Sequence, residues 1–148
     1  MATMRKDGVM GIFIGVGVAA LIVLVFIFGP RVEHDNALRR FADQLYNYPP
    51  PSKTQIVSRD SQVGLLSANG NHCDYRVVQI ISSELSVIDL NAYYQPLRFA
   101  AALPPESKSE TKDIPLQIEV LEPQGDRTQV RLTLSDFGYP PGLDFRCM

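Results

Sequence analysis

Residues 67–75 read SANGNHCDY and set one of the chain's two histidines beside one of its two cysteines. A thiol next to an imidazole suggests a nucleophile with its base, or half of a metal site. Neither chemistry is complete here. Side chains alternate faces along a strand, so His72 and Cys73 point away from each other. The other histidine, His34, falls within a turn or two of a long apolar run and is expected to be distant. Zinc asks for about four ligands, and the chain has neither CxxC nor HxxxH. No GxSxG, phosphate-binding glycine loop or carboxylate pair stands out either. The spacing therefore predicts no catalytic residue, no metal ligand and no cofactor, and the chain reads as a non-enzyme.

Cys73 has a structural use instead. Cys147 closes the segment DFGYPPGLDFRCM, whose prolines and glycines leave it without a periodic element. A Cys73–Cys147 disulfide would close a loop of about 75 residues, worth on the order of 4 kcal/mol in the chain-entropy account. His72 then reads as a polar residue near a turn. Tyr46, Tyr48, Tyr93 and Tyr94 could face a ligand, but such tyrosines are expected to pack with their hydroxyls at the surface.

The elements that must position these residues begin with VMGIFIGVGVAALIVLVFIF, residues 9–28, which carry no charge. Twenty or so apolar residues rising 1.5 Å each match a bilayer core of about 30 Å. The run exceeds a cleavable signal core of about 7–15 residues, and no A-x-A-like site follows it. It predicts a retained transmembrane helix over 9–29, after a short tail at 1–8. Gly29-Pro30 is expected to break that helix. Gly11 and Gly15 form a GxxxG pair, a face on which a second membrane helix can pack closely.

Arg5 and Lys6 on one side are balanced by Arg31, Arg39 and Arg40 on the other, so charge gives no orientation. An even pair of cysteines suits an oxidising compartment and places the C-terminal domain outside the cytoplasm. Residues 30–148 keep 12 of the 14 Lys+Arg and 15 of the 16 Asp+Glu, a net of about −3. That balance disfavours nucleic acid, which needs a basic face. The partners expected are the lipid bilayer and proteins met through the membrane helix, the head, or both.

Beyond Pro30, Leu38, Phe41, Leu45 and Tyr48 recur every three or four residues. They predict a juxtamembrane helix with Asp35 as N-cap, ended by Pro49-Pro50-Pro51, within residues 30–52. Residues 53–148 form the expected head. QIVS and the stretch around Val63, Leu65 and Leu66 read as two short strands. Asn69-Gly70 predicts a two-residue hairpin turn into CDYRVVQIIS. Ser86 and Asp89 resemble a capping box opening a helix that bears Leu90, Tyr93 and Tyr94, ended near Pro96. PPESKSETKD (104–113) reads as a loop. Leu116, Ile118 and Val120, then Val130, Leu132 and Leu134, alternate with polar residues and predict a second hairpin around PQGD. The fold class is α+β: one transmembrane helix, then a small soluble domain with an antiparallel sheet of two hairpins and two helices.

A basic start (Arg5-Lys6-Asp7-Gly8), an apolar helix, Pro30 and a C-terminal cysteine together resemble type IV pilin-like proteins. That resemblance implies a subunit with an α+β head and a C-terminal disulfide. Phe13 stands where that family usually carries glutamate, and Val9 where it starts with an aromatic residue. The residues themselves favour an accessory or assembly subunit of a membrane complex. The alternatives are an extracytoplasmic ligand-binding or sensor domain, or a pilin-like subunit.

Overall fold

The computed structural model describes residues 6–67, 70–103, 112–122 and 125–148; in its first helix the side chains at 6–16, 19–20 and 26–28 lie outside the description. That helix, α1, runs Lys6–Tyr46 with Pro30 inside it. The expected break at Gly29-Pro30 and the expected N-cap at Asp35 are both corrected: 41 residues form one helix. Proline removes only one intrahelical bond, and its fixed φ is compatible with helix. Among the described residues no helix is long and apolar enough to cross a membrane. The expected span and the Gly11/Gly15 face fall largely on positions whose side chains are outside the description.

The strands are β1 (Thr54–Gly64), β2 (Cys73–Ser83), β3 (Arg98–Ala100), β4 (Asp113–Pro115), β5 (Gln117–Val120) and β6 (Thr128–Tyr139), with α2 (Val87–Tyr94) between β2 and β3. Four of them make an antiparallel sheet in the order β1-β2-β6-β5, and β3 pairs with β4. The fold is α+β with a mostly antiparallel sheet and two helices. The two short strands expected over 55–66 are one, β1, bent by a register shift between Ile56 and Ser58. No two-residue turn follows it. Residues 65–72 connect β1 to β2; Gly70 has the expected positive φ (107°), and Asn69 lies outside the described residues.

One face of the sheet is apolar because the strands alternate. Tyr75, Val77, Ile81, Val130, Leu132 and Leu134 point inward and are fully buried. The second half of α1 covers them with Ala37, Phe41, Ala42 and Leu45, at most 4% exposed. Each large side chain so buried stabilises the fold by about 1.5–3 kcal/mol. Arg59 closes the helix end: its guanidinium donates to the Tyr46 carbonyl at 2.6 Å and stacks over the Tyr46 ring. Positive charge at a helix C-terminus is favourable. Ser86 caps α2 as expected, accepting from the Asp89 backbone N–H and donating to its carboxylate at 2.7 Å.

The C-terminal segment is more ordered than its composition predicts. β6 already includes Asp136–Tyr139, and Phe145–Cys147 form a 3₁₀ turn. Gly64 makes room for that turn: a Cβ there would stand 3.0 Å from the Arg146 carbonyl oxygen, which accepts from Leu65 N–H at 2.8 Å.

Candidate functional site

Two places carry the head's polar chemistry: a buried node around Cys73, and the open face of the sheet. Cys73 opens β2 and is joined to Cys147, their Cα atoms 4.8 Å apart. The expectation that His34 lies far away is corrected. His34 is buried on α1, with Nε2 3.4 Å from Cys73 Sγ and Nδ1 hydrogen-bonded to the Tyr75 hydroxyl. Position 34 continues the inward stripe of 37, 41 and 45 one turn back, and that spacing was the signal in the sequence for it.

Asp144 completes the node. Its ligand atoms and those of His34 and Cys73 lie within 4.8 Å of one another, a histidine–cysteine–carboxylate group of metal-ligand type. Each is already engaged. Cys73 is a disulfide sulfur and not a thiolate, and Arg146 donates to both Asp144 oxygens at 2.6–3.2 Å. That guanidinium, set against burial, holds the Asp144 carboxyl below its ordinary value. Arg146 also reaches across to Asp35 at 2.7 Å, so the C-terminal turn is tied to α1. Burial pushes the Tyr75 hydroxyl far above its ordinary range, with nearby carboxylates adding to the shift, and it stays neutral.

His72 faces away from this node. Its Nε2 meets Ser67 Oγ at 2.9 Å and Asp74 at 3.2 Å. Asp74 is buried and organises the connection, accepting from Leu66 N–H, Ser67 N–H, Ser67 O–H and Gly138 N–H at 2.8–3.2 Å. Burial acts to raise its carboxyl, but these bonds outweigh it and the group titrates below its ordinary value. The triplet at 72–74 is therefore split among three tasks, and none places a nucleophile beside a base.

Of the tyrosines considered as ligand-facing, Tyr48, Tyr93 and Tyr94 pack among themselves. Tyr93 stands edge-on to Tyr94 and Tyr48, and its hydroxyl donates to the Pro49 carbonyl at 2.9 Å. Tyr46 donates to the Asp60 carbonyl at 2.7 Å.

The other sheet face has no helix over it among the described residues. Register aligns Gln62 with Arg76 and Ser135, Val78 with Thr133 and Gln117, and Ile80 with Arg131 and Glu119. Here lies a shallow groove of about 390 Å³ between Arg76, Arg131, Thr133, Ser135 and Phe137, its floor at Val78. The outward alternation of β6 was readable as a wet face; that it joins Arg76 in a concavity depends on β2–β6 pairing, which no local pattern encodes. Compared with models of protein families, with curated proteins and with solved structures, the chain matches none.

Proposed function

We propose that this chain is a single-pass membrane subunit whose non-catalytic head works by binding a protein partner outside the cytoplasm. The observation that carries this reading is the uneven cover of α1. Val18, Leu21, Ile22, Val23, Leu24 and Val25 are 50–63% exposed, with few of the described residues packed on them. A contiguous apolar surface of that kind needs a cover, and a charge-free run of about 20 residues has the length of a bilayer core. The disulfide favours an oxidising compartment for the head. The packed tyrosines and the engaged node leave binding as the head's available chemistry.

Protease added to sealed, cytoplasm-side-in membranes should degrade the head and spare a fragment containing residues 9–29. Protection of the head until the membrane is lysed contradicts the orientation. Mild-detergent purification should bring a second protein at fixed stoichiometry, and a lone monomer in several detergents contradicts the subunit reading.

A pilin-like subunit is the second reading. The feature favouring it is one helix, bare at Val18 and Leu21–Val25 and laid on an antiparallel sheet over its second half, plus the C-terminal disulfide. It requires cleavage after Gly8. An intact-mass measurement finding the mature chain starting at Val9 would favour it, and a retained Arg5–Gly8 segment would exclude it.

A further inference from the structure

The groove on the open sheet face is lined by two guanidiniums, with Asp60, the β1 partner of Val78, and Glu119 outside its lining. Residues 30–148 are acidic by about three charges, yet no carboxylate lines the groove among the described residues, while two guanidiniums do. Arg131 is held at one rim by Glu119 at 2.6 Å. Arg76 has no carboxylate or hydrogen-bond partner among the described residues, although most arginines around it are committed: Arg59, Arg127, Arg131 and Arg146 each bind within the head. Between the two arginines lie hydroxyls, Thr133 and Ser135, and an apolar step, Val78, with Phe137 44% exposed at the end.

From this we infer that the groove binds an extended acidic peptide segment of the partner protein. It rests on the proposed binding role and specifies where and what the head binds. The spacing selects the peptide. Arg76 pairs with Ser135 and Arg131 with Ile80, so the arginines stand four residues apart along neighbouring strands. That is about 13 Å at roughly 3.3 Å per residue. In an extended ligand, residues i, i+2 and i+4 share a face over the same distance. A segment of the form acid–x–apolar–x–acid therefore sets one carboxylate at each arginine and its middle side chain over Val78. Guanidinium forks receive carboxylates in a bidentate manner, and the serine, threonine and glutamine side chains can serve the peptide backbone. At Arg131 the incoming carboxylate shares the guanidinium with Glu119, so Arg76 is the stronger anchor.

The test uses the full chain in nanodiscs of phosphatidylcholine, which carry no net charge, and a fluorescein-labelled peptide Thr-Glu-Thr-Val-Thr-Glu-Thr followed by anisotropy. Saturable binding is expected, weakening as salt rises, and falling roughly tenfold or more in R76Q, as loss of one charge-assisted pair implies. R98Q, whose guanidinium donates to nearby backbone carbonyls at 2.8–2.9 Å among the described residues, is expected to bind normally. Equal binding of the glutamine version of the peptide, unchanged affinity in R76Q, or no saturation overturns the inference. So does succinate competing as well as the peptide, since the site would then hold a small anion. Circular dichroism on R76Q confirms that the head is folded. Failure of peptide binding in a chain that still resides in membranes removes this inference alone, whereas a chain that leaves the membrane removes the anchor reading alone.

Discussion

The two halves of α1 differ in composition and have opposite surroundings. Over 18–25 the described side chains, Val18 and Leu21–Val25, stand half or more exposed, whereas Ala37, Phe41, Ala42 and Leu45 are at most 4% exposed. Residues 9–28 carry no charge, whereas 31–46 carry Arg31, Glu33, Asp35, Arg39, Arg40 and Asp43. The first half is apolar on every side, so no single protein face could cover it. The second half alternates with Arg39, Arg40 and Asp43, and its one apolar stripe fits one sheet face. At the junction the C-terminal turn grips the helix through Arg146 and Asp35, and β2 meets it through Cys73 and His34. A helix whose described apolar side chains stand bare at 18 and 21–25 is expected to meet another medium there.

Breaking the packed half should produce the largest effect. Phe41→Ala removes a fully buried ring from between α1 and the sheet, and is expected to lower head stability by about 3–5 kcal/mol in urea unfolding. Leu24→Ala, in the bare half, should leave the head's unfolding midpoint unchanged. Equal losses from both would mean that the two halves share one core.

Loss of the staple should come next. Cys147→Ser should release the turn at 145–147 from β1 and α1 and cost about 2–4 kcal/mol, below the ideal loop-closure value because unfolded chains keep some structure. The double serine replacement should cost little more than the single one. Digestion without reductant should yield one peptide pair holding Cys73 and Cys147; a native thiol that titrates freely would contradict it.

A smaller effect is expected from Tyr75→Phe, which strips the hydrogen bond from His34 Nδ1 inside the node. The loss should be about 1–3 kcal/mol, the range for leaving a buried polar atom without its partner. His34→Phe combined with it should cost less than the sum of the two singles. An additive result would show that the two side chains act independently.

The smallest effect is a pH dependence. Asp144 and Asp74 titrate below their ordinary value of 3.8 when folded. A depressed folded pKa gives stability that is fully present above that value and lost as pH falls through the lower folded one. Unfolding midpoints should therefore hold down to about pH 4 and then decline. Asp144→Asn should flatten that decline; an unchanged slope would mean that the node's charge is not what titrates.

How much of this was legible depends on whether the determining contacts are local. The capping of α2 by Ser86, the β5–β6 pairing and the stripe at Phe41 and Leu45 follow from spacings of two, three or four residues. The cysteine pair was readable because the chain has only two. Misreadings arose where distant contacts decide. Pro30 suggested a stop, yet the helix continues past it, with the Gly142 loop packed near its ring. Asn69-Gly70 suggested a tight turn, but Asp74 draws the Leu66 and Ser67 amides into a longer connection. His34 looked isolated because its partners are about 40 positions away or more. The Arg76–Arg131 groove depends on strand register and has no local signature at all.

The central claim is that the bare half of α1 resides in lipid. Membranes from cells expressing the full chain can be washed with sodium carbonate at high pH, which strips proteins held only by contacts with other proteins, and then sedimented. The account predicts that the chain stays with the pellet and that replacing Leu21, Leu24 and Val25 together by aspartate releases it to the supernatant with its disulfide intact. Release of the unaltered chain by carbonate would contradict the account.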